Sequence, residues 1–109
     1  MIFRFHPKNK KIDKVAADSF WQWFEANETQ IKRRCVSDVR NLEHEIGQRL
    51  RAVFPYFDGI FEIHIGLGEG RGEFFFFHGG DRHLAGDAES LGELMPNSLR
   101  GRWKFIFGR

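Results

Sequence analysis

The chain has 109 residues, 41% of them hydrophobic, and a net charge of +2. That length supports one domain, residues 1–109, with core enough to fold without metals or crosslinks. A single cysteine, Cys35, excludes an internal disulfide, no apolar run approaches the ~20 residues of a membrane helix, and thirteen Phe argue against disorder. The thirteen Phe stand against one Tyr. Phe has no polar handle, so this surplus points to a core or a dry interface.

At the N-terminus, Ile2 to Phe5 has the look of a short strand, and the apolar run there is too short for a signal peptide. A cytoplasmic location is the resulting expectation. After the polar residues 8–13, a first helix is expected near Asp18 or Ser19, where Ser19 and Gln22 have capping-box spacing. It carries Phe20, Trp21, Trp23, Phe24 and Ile31 and is expected to end near Arg33 or Arg34. Four large aromatics within five residues cannot all point one way on a helix. Trp21 or Trp23 is therefore expected at the margin of the core.

A second helix is predicted from Ser37 as N-cap to the stop at Pro55. Val39, Leu42, Ile46, Leu50, Val53 and Phe54 recur at steps of three and four and form its apolar stripe. Phe61, Ile63 and Ile65 alternate with Glu62, His64 and Gly66, which reads as a half-buried strand. The glycine-rich residues 66–72 turn the chain into a second strand, 73–78, so the two make a hairpin. Taking a four-residue loop, Leu67 to Gly70, Phe61 opposes Phe76 and Ile63 opposes Phe74. Phe75 and Phe77 then lie on the other side, with Glu62 and His64, where either the N-terminal segment around Phe3 and Phe5 or another chain is expected to cover them. Residues 79–86 read as a loop, Asp87 as the cap of a short third helix, and residues 103–107 as a last strand. The expected fold is α+β, a two-layer sandwich of order (β)ααββαβ. Its sheet has three or four strands, mostly antiparallel, with helices on one face. The helix before the last strand permits that strand to run parallel to its neighbour.

The search for chemistry is short. No Gly-x-Ser-x-Gly is present, and Cys35 sits between the opposing effects of two arginines and a helix C-terminus. His78, Asp81 and His83 match no standard zinc spacing. The glycine run lacks the Lys-Ser/Thr of a phosphate loop and joins strand to strand, where a phosphate cradle opens a helix. Arg71, Gly72 and Phe75 resemble part of the aromatic strand signature of RNA-recognition sheets, but Glu73 and His78 stand where aromatics are wanted.

Two motifs carry a resemblance. The segment Phe20-Trp21-Gln22-Trp23-Phe24-Glu25-Ala26-Asn27-Glu28 and the later Leu99-x-Gly101-x-Trp103-Lys104-Phe105 are similar to a group of small uncharacterised bacterial proteins. Those carry an FWxWFxxNE helix near the start and a Trp-centred strand near the end. The resemblance spans about residues 18–107. It implies a bacterial origin and brings no catalytic residue with it.

The functional expectation is a non-enzymatic protein-binding module: an immunity protein, adaptor or regulator. It would act without cofactor, metal or membrane, on another protein or on a second copy of itself. The candidate partner-binding residues are Phe75, Phe77, Glu62, His64 and Trp23. The alternative is a nucleic-acid-binding domain using the hairpin face with Arg71, Arg100, Arg102 and Lys104.

Overall fold

The structure, a computed structural model, describes residues 12–108. The candidate strand at Ile2 to Phe5, and with it the expected cover of Phe75 and Phe77 by Phe3 and Phe5, lies outside the described residues. Eight elements follow in order: α1 (Lys14–Ala26), α2 (Glu28–Ser37), α3 (Val39–Arg51), β1 (Glu62–Gly68), β2 (Arg71–Phe77), α4 (Arg82–Glu93), α5 (Asn97–Arg100) and β3 (Trp103–Gly108).

The first helix starts at Lys14, a full turn before Ser19, because Asp13 is its N-cap. The Asp13 carboxylate accepts the Ala16 amide at 3.0 Å, and the Asp13 amide donates to the Val53 carbonyl at 2.9 Å. The second bond ties the helix start to the end of α3, a long-range contact that local spacing does not reveal. The single helix expected up to Arg33 or Arg34 is two helices, broken at Asn27. There the side-chain amide donates to the Trp23 carbonyl at 2.8 Å, and the backbone leaves the helical region at φ −111°. Asn competes with the helical ladder in this way. Asp38, not Ser37, precedes α3. The Ser37 hydroxyl is turned back to the Arg33 carbonyl at 3.1 Å.

The apolar stripe is as its periodicity predicts, but α3 ends at Arg51 and not at the Pro55 stop. The Ala52 and Val53 amides turn to the carbonyls three residues back, so Val53 and Phe54 follow the helix. Leu42, Ile46, Leu50, Val53 and Phe54 have no exposed surface, and Val39 packs at the margin. Burying a side chain of this size stabilises by about 1.5–3 kcal/mol each. The fourth helix departs from expectation. It begins at Arg82 with Asp81 as N-cap, whose carboxylate accepts the Leu84 amide at 2.9 Å. Residues 82–86 are thus helical and not loop, and Asp87 lies inside the helix.

The hairpin closes through two residues, Glu69 and Gly70, with φ of 51° and 82°. Both values belong to the tight turn that matches strand twist, for which Gly is favoured. The register is therefore two residues away from the expected one: Ile63 opposes Phe76 and Ile65 opposes Phe74. An even shift leaves every side chain on its expected face. β3 runs parallel to β2, reached through α4 and α5, so the three-stranded sheet is mixed and ordered β1-β2-β3.

Ile63, Ile65, Phe74, Phe76 and Trp103 are buried on the helix side of the sheet. They meet Phe20, Trp21, Phe24 and Phe54, with Phe24 and Trp103 edge to face at 4.9 Å and Phe54 and Phe76 at 5.6 Å. The Trp21 indole donates to the Leu91 carbonyl at 2.9 Å, joining α1 to α4. The result is a two-layer α+β sandwich.

Candidate functional site

The alternation along β1, β2 and β3 leaves the second face of the sheet to Glu62, His64, Phe75, Phe77, Lys104 and Ile106. Neighbouring strands set Glu62 opposite Phe77, His64 opposite Phe75, and Phe75 opposite Ile106. The Phe75 and Phe77 rings are parallel within 3°, with centroids 6.2 Å apart. His64 meets Phe77 edge on at 5.5 Å. Glu62, His64, Phe75 and Phe77 line a shallow depression of about 440 Å³. Phe75, Phe77 and Ile106 are half-buried, not fully open.

His64 stands between two carboxylates, its Nδ1 3.6 Å from Glu43 and its Nε2 3.7 Å from Glu62. Glu43 reaches from α3 and accepts the Ile65 amide at 2.9 Å. That amide faces away from β2, so Glu43 satisfies a donor on the outer edge of the sheet. Four of the five expected partner-binding residues are therefore together on one face. Trp23 is not with them. It belongs to the helix layer, where it packs against the core at its margin, with the Arg49 guanidinium 4.0 Å from its ring.

The basic residues of the nucleic-acid reading are mostly engaged within the fold. Arg71 donates to the carbonyls of Arg100 and Trp103 at 3.1 and 3.4 Å. Arg100 donates to the carbonyls of Met95, Gly92 and Glu93 at the end of α4, where a cation suits the helix C-terminus. Arg102 forms a two-pronged pair with Glu28 at 2.8 and 2.9 Å. Lys104 alone projects from the open face.

Glu28 was no candidate in the sequence, yet it organises this corner. It also accepts the Trp103 indole N–H at 2.9 Å and lies 3.7 Å from Lys32. The Arg102 hydrogen bond is the main cause holding its carboxyl below the ordinary range, against the opposing effect of burial. Glu28 ends the FWxWFxxNE segment and Trp103 centres the C-terminal one, so the two motifs meet in space.

Other chemistry-bearing groups have structural partners. The Cys35 thiol is half-buried, and burial followed by Glu43 pushes its pKa up, away from the reactive thiolate. Asp81 caps α4, and His78 Nδ1 accepts the Gly80 amide at 3.1 Å. Among the described residues no three His, Cys, Asp or Glu side chains converge to hold a metal ion. The Tyr56 hydroxyl donates to Asp87, fastening the segment after α3 to α4. Burial is the main cause raising both groups, Asp87 against the lowering effect of that hydrogen bond.

No helix among the described residues is long and apolar enough to cross a membrane. Comparison with protein-family models, with curated proteins and with solved structures gives no match.

Proposed function

We propose that this chain is a non-enzymatic protein-binding module of a bacterial cytoplasm, an immunity protein, adaptor or regulator that docks a protein through the open face of its sheet. The observation that carries the reading is the placement of Phe75, Phe77 and Ile106 side by side on the face that the described helices leave uncovered. Contiguous apolar surface on an open sheet favours a partner over water. Glu62 and His64 give the patch a polar rim, the usual anatomy of an interface. The bacterial setting follows from the resemblance carried by the FWxWFxxNE and Trp-centred motifs. A phosphate backbone is disfavoured on this face, since Glu62 and Glu73 would repel it and three of the four candidate cations are engaged elsewhere.

The test uses purified wild type and a variant carrying Phe75→Ser with Phe77→Ser. Solution mass across a concentration series reads self-association, and immobilised protein reads capture of a discrete partner. The double variant is expected to keep its fold and to lose the complex. Binding to wild type is expected to survive high salt, whereas phosphate contacts would make it fall steeply. A complex that the double variant retains in full would remove this face from the function.

A further inference from the structure

We infer that the open face recognises a cationic side chain, an arginine presented by an apolar segment of the partner protein and held jointly by the Phe75 and Phe77 rings and the Glu62 carboxylate. The inference rests on the reading of this face as a protein-docking surface. Across the sheet, Phe77 has Glu62 on one side and Gly108 on the other. Gly108 brings no side chain, and a Cβ there would come no nearer to Phe77 than 3.9 Å. Among the described residues, the ring is therefore bordered by a carboxylate on one flank and by a residue without a side chain on the other.

Among the described residues, the charge beside Phe77 is negative. The Glu62 side chain is 72% exposed, and among the described residues its one ion-pair partner is His64, which is charged only when protonated. Further along the face, Glu73 stands opposite Lys104, one negative charge against one positive. The chain as a whole carries +2, so this spot contrasts with the rest of the molecule. Aromatic faces are themselves negative. Ring and carboxylate thus attract the same guest, a cation.

The molecule shows elsewhere what fills such a niche. The Arg49 guanidinium lies 4.0 Å from the Trp23 ring, with its Nε 3.6 Å from Glu45. Phe77 and Glu62 repeat the aromatic and the carboxylate of that trio. Arginine suits the site better than lysine, because its planar group stacks on a ring while its N–H fork meets a carboxylate. Ile106, beside Phe75, offers apolar floor to the arginine stem and to flanking aliphatic residues.

Two short amidated peptides test this, one with Ile-Arg-Val at its centre and one with neutral citrulline in place of the arginine. Each is titrated into isotopically labelled full-length chain and followed by NMR. The arginine peptide is expected to shift Phe75, Phe77 and His64 and to bind about tenfold more tightly than the citrulline peptide. Glu62→Gln, an exposed change, is expected to leave the melting temperature unaltered and to erase that advantage. Equal affinity for the two peptides, or no shifts on this face, overturns the inference. Where the double Phe variant loses the captured partner and Glu62→Gln retains it at full affinity, docking stands and the arginine falls. Retention by both variants removes both readings.

Discussion

The Gly72 backbone passes directly beneath the Trp103 indole, so closely that a Cβ at Gly72 would overlap ring atoms Cε3, Cζ3 and Cδ2. The two residues face each other across the parallel β2–β3 pair, and Trp103 is itself wedged against Phe24. The indole has nowhere to retreat.

Gly72→Ala is therefore expected to destabilise by about 1–3 kcal/mol, the range for overpacking a filled core. Gly66→Ala is the control, since a Cβ there meets nothing within 4 Å, and its effect should stay within about 0.5 kcal/mol. Urea denaturation of the two variants reads the difference. Equal midpoints would refute the close contact.

Glu28 predicts a pH dependence. Its folded-state pKa is lowered from the ordinary 4.5, with the Arg102 hydrogen bond as first cause. A group of this sign contributes stability that is present above pH 4.5 and lost as pH falls toward its folded value. The Glu28 side chain is 14% exposed and that of Arg102 47%, so salt screens the pair in part. Glu28→Ala also leaves the buried Trp103 indole N–H without its acceptor. It should cost about 1–3 kcal/mol at neutral pH. Denaturation midpoints from neutral to acid pH should fall for wild type and vary less for Glu28→Gln.

Ile46 is wholly buried in the middle of the α3 stripe, and Ile46→Ala should cost about 2–5 kcal/mol. Glu45, one residue before it, points outward but is not idle. It takes Arg34 Nη1 at 2.7 Å and Arg49 Nε at 3.6 Å. Its side chain is 40% exposed, so Glu45→Ala should cost no more than about 1 kcal/mol, and less in high salt. A loss for Ile46→Ala below about 0.5 kcal/mol would mean that α3 faces the core differently.

Periodicity made the elements legible, and the caps did not. The i, i+3, i+4 recurrence in α3 and the alternation in β1 and β2 identify buried faces correctly, because burial repeats with the geometry of each element. The helix starts at Asp13 and Asp81 are hidden in the sequence because a second residue able to cap follows each, Ser19 after the first and Asp87 after the second. The choice at Asp13 came from a bond to Val53, forty residues away in sequence. The open face of the sheet was readable for the same reason as the core. A hairpin register shifted by two residues returns Phe75 and Phe77 to the same side.

The sequence by itself determined the α+β class, the apolar stripe of α3 and the grouping of Phe75, Phe77, Glu62 and His64. Those follow from local spacing, which the backbone converts into faces. Only the tertiary structure decided that Glu28 and Trp103 meet, that Arg71, Arg100 and Arg102 are bound within the fold, and that Trp23 belongs to the helix layer. Apart from Arg100, whose carbonyl partners are five to eight residues away, these depend on pairs far apart in sequence, such as Glu28 and Trp103 at 2.9 Å. Their charges and hydrogen bonds can be assigned only once α2, α4 and β3 converge at one corner of the sandwich.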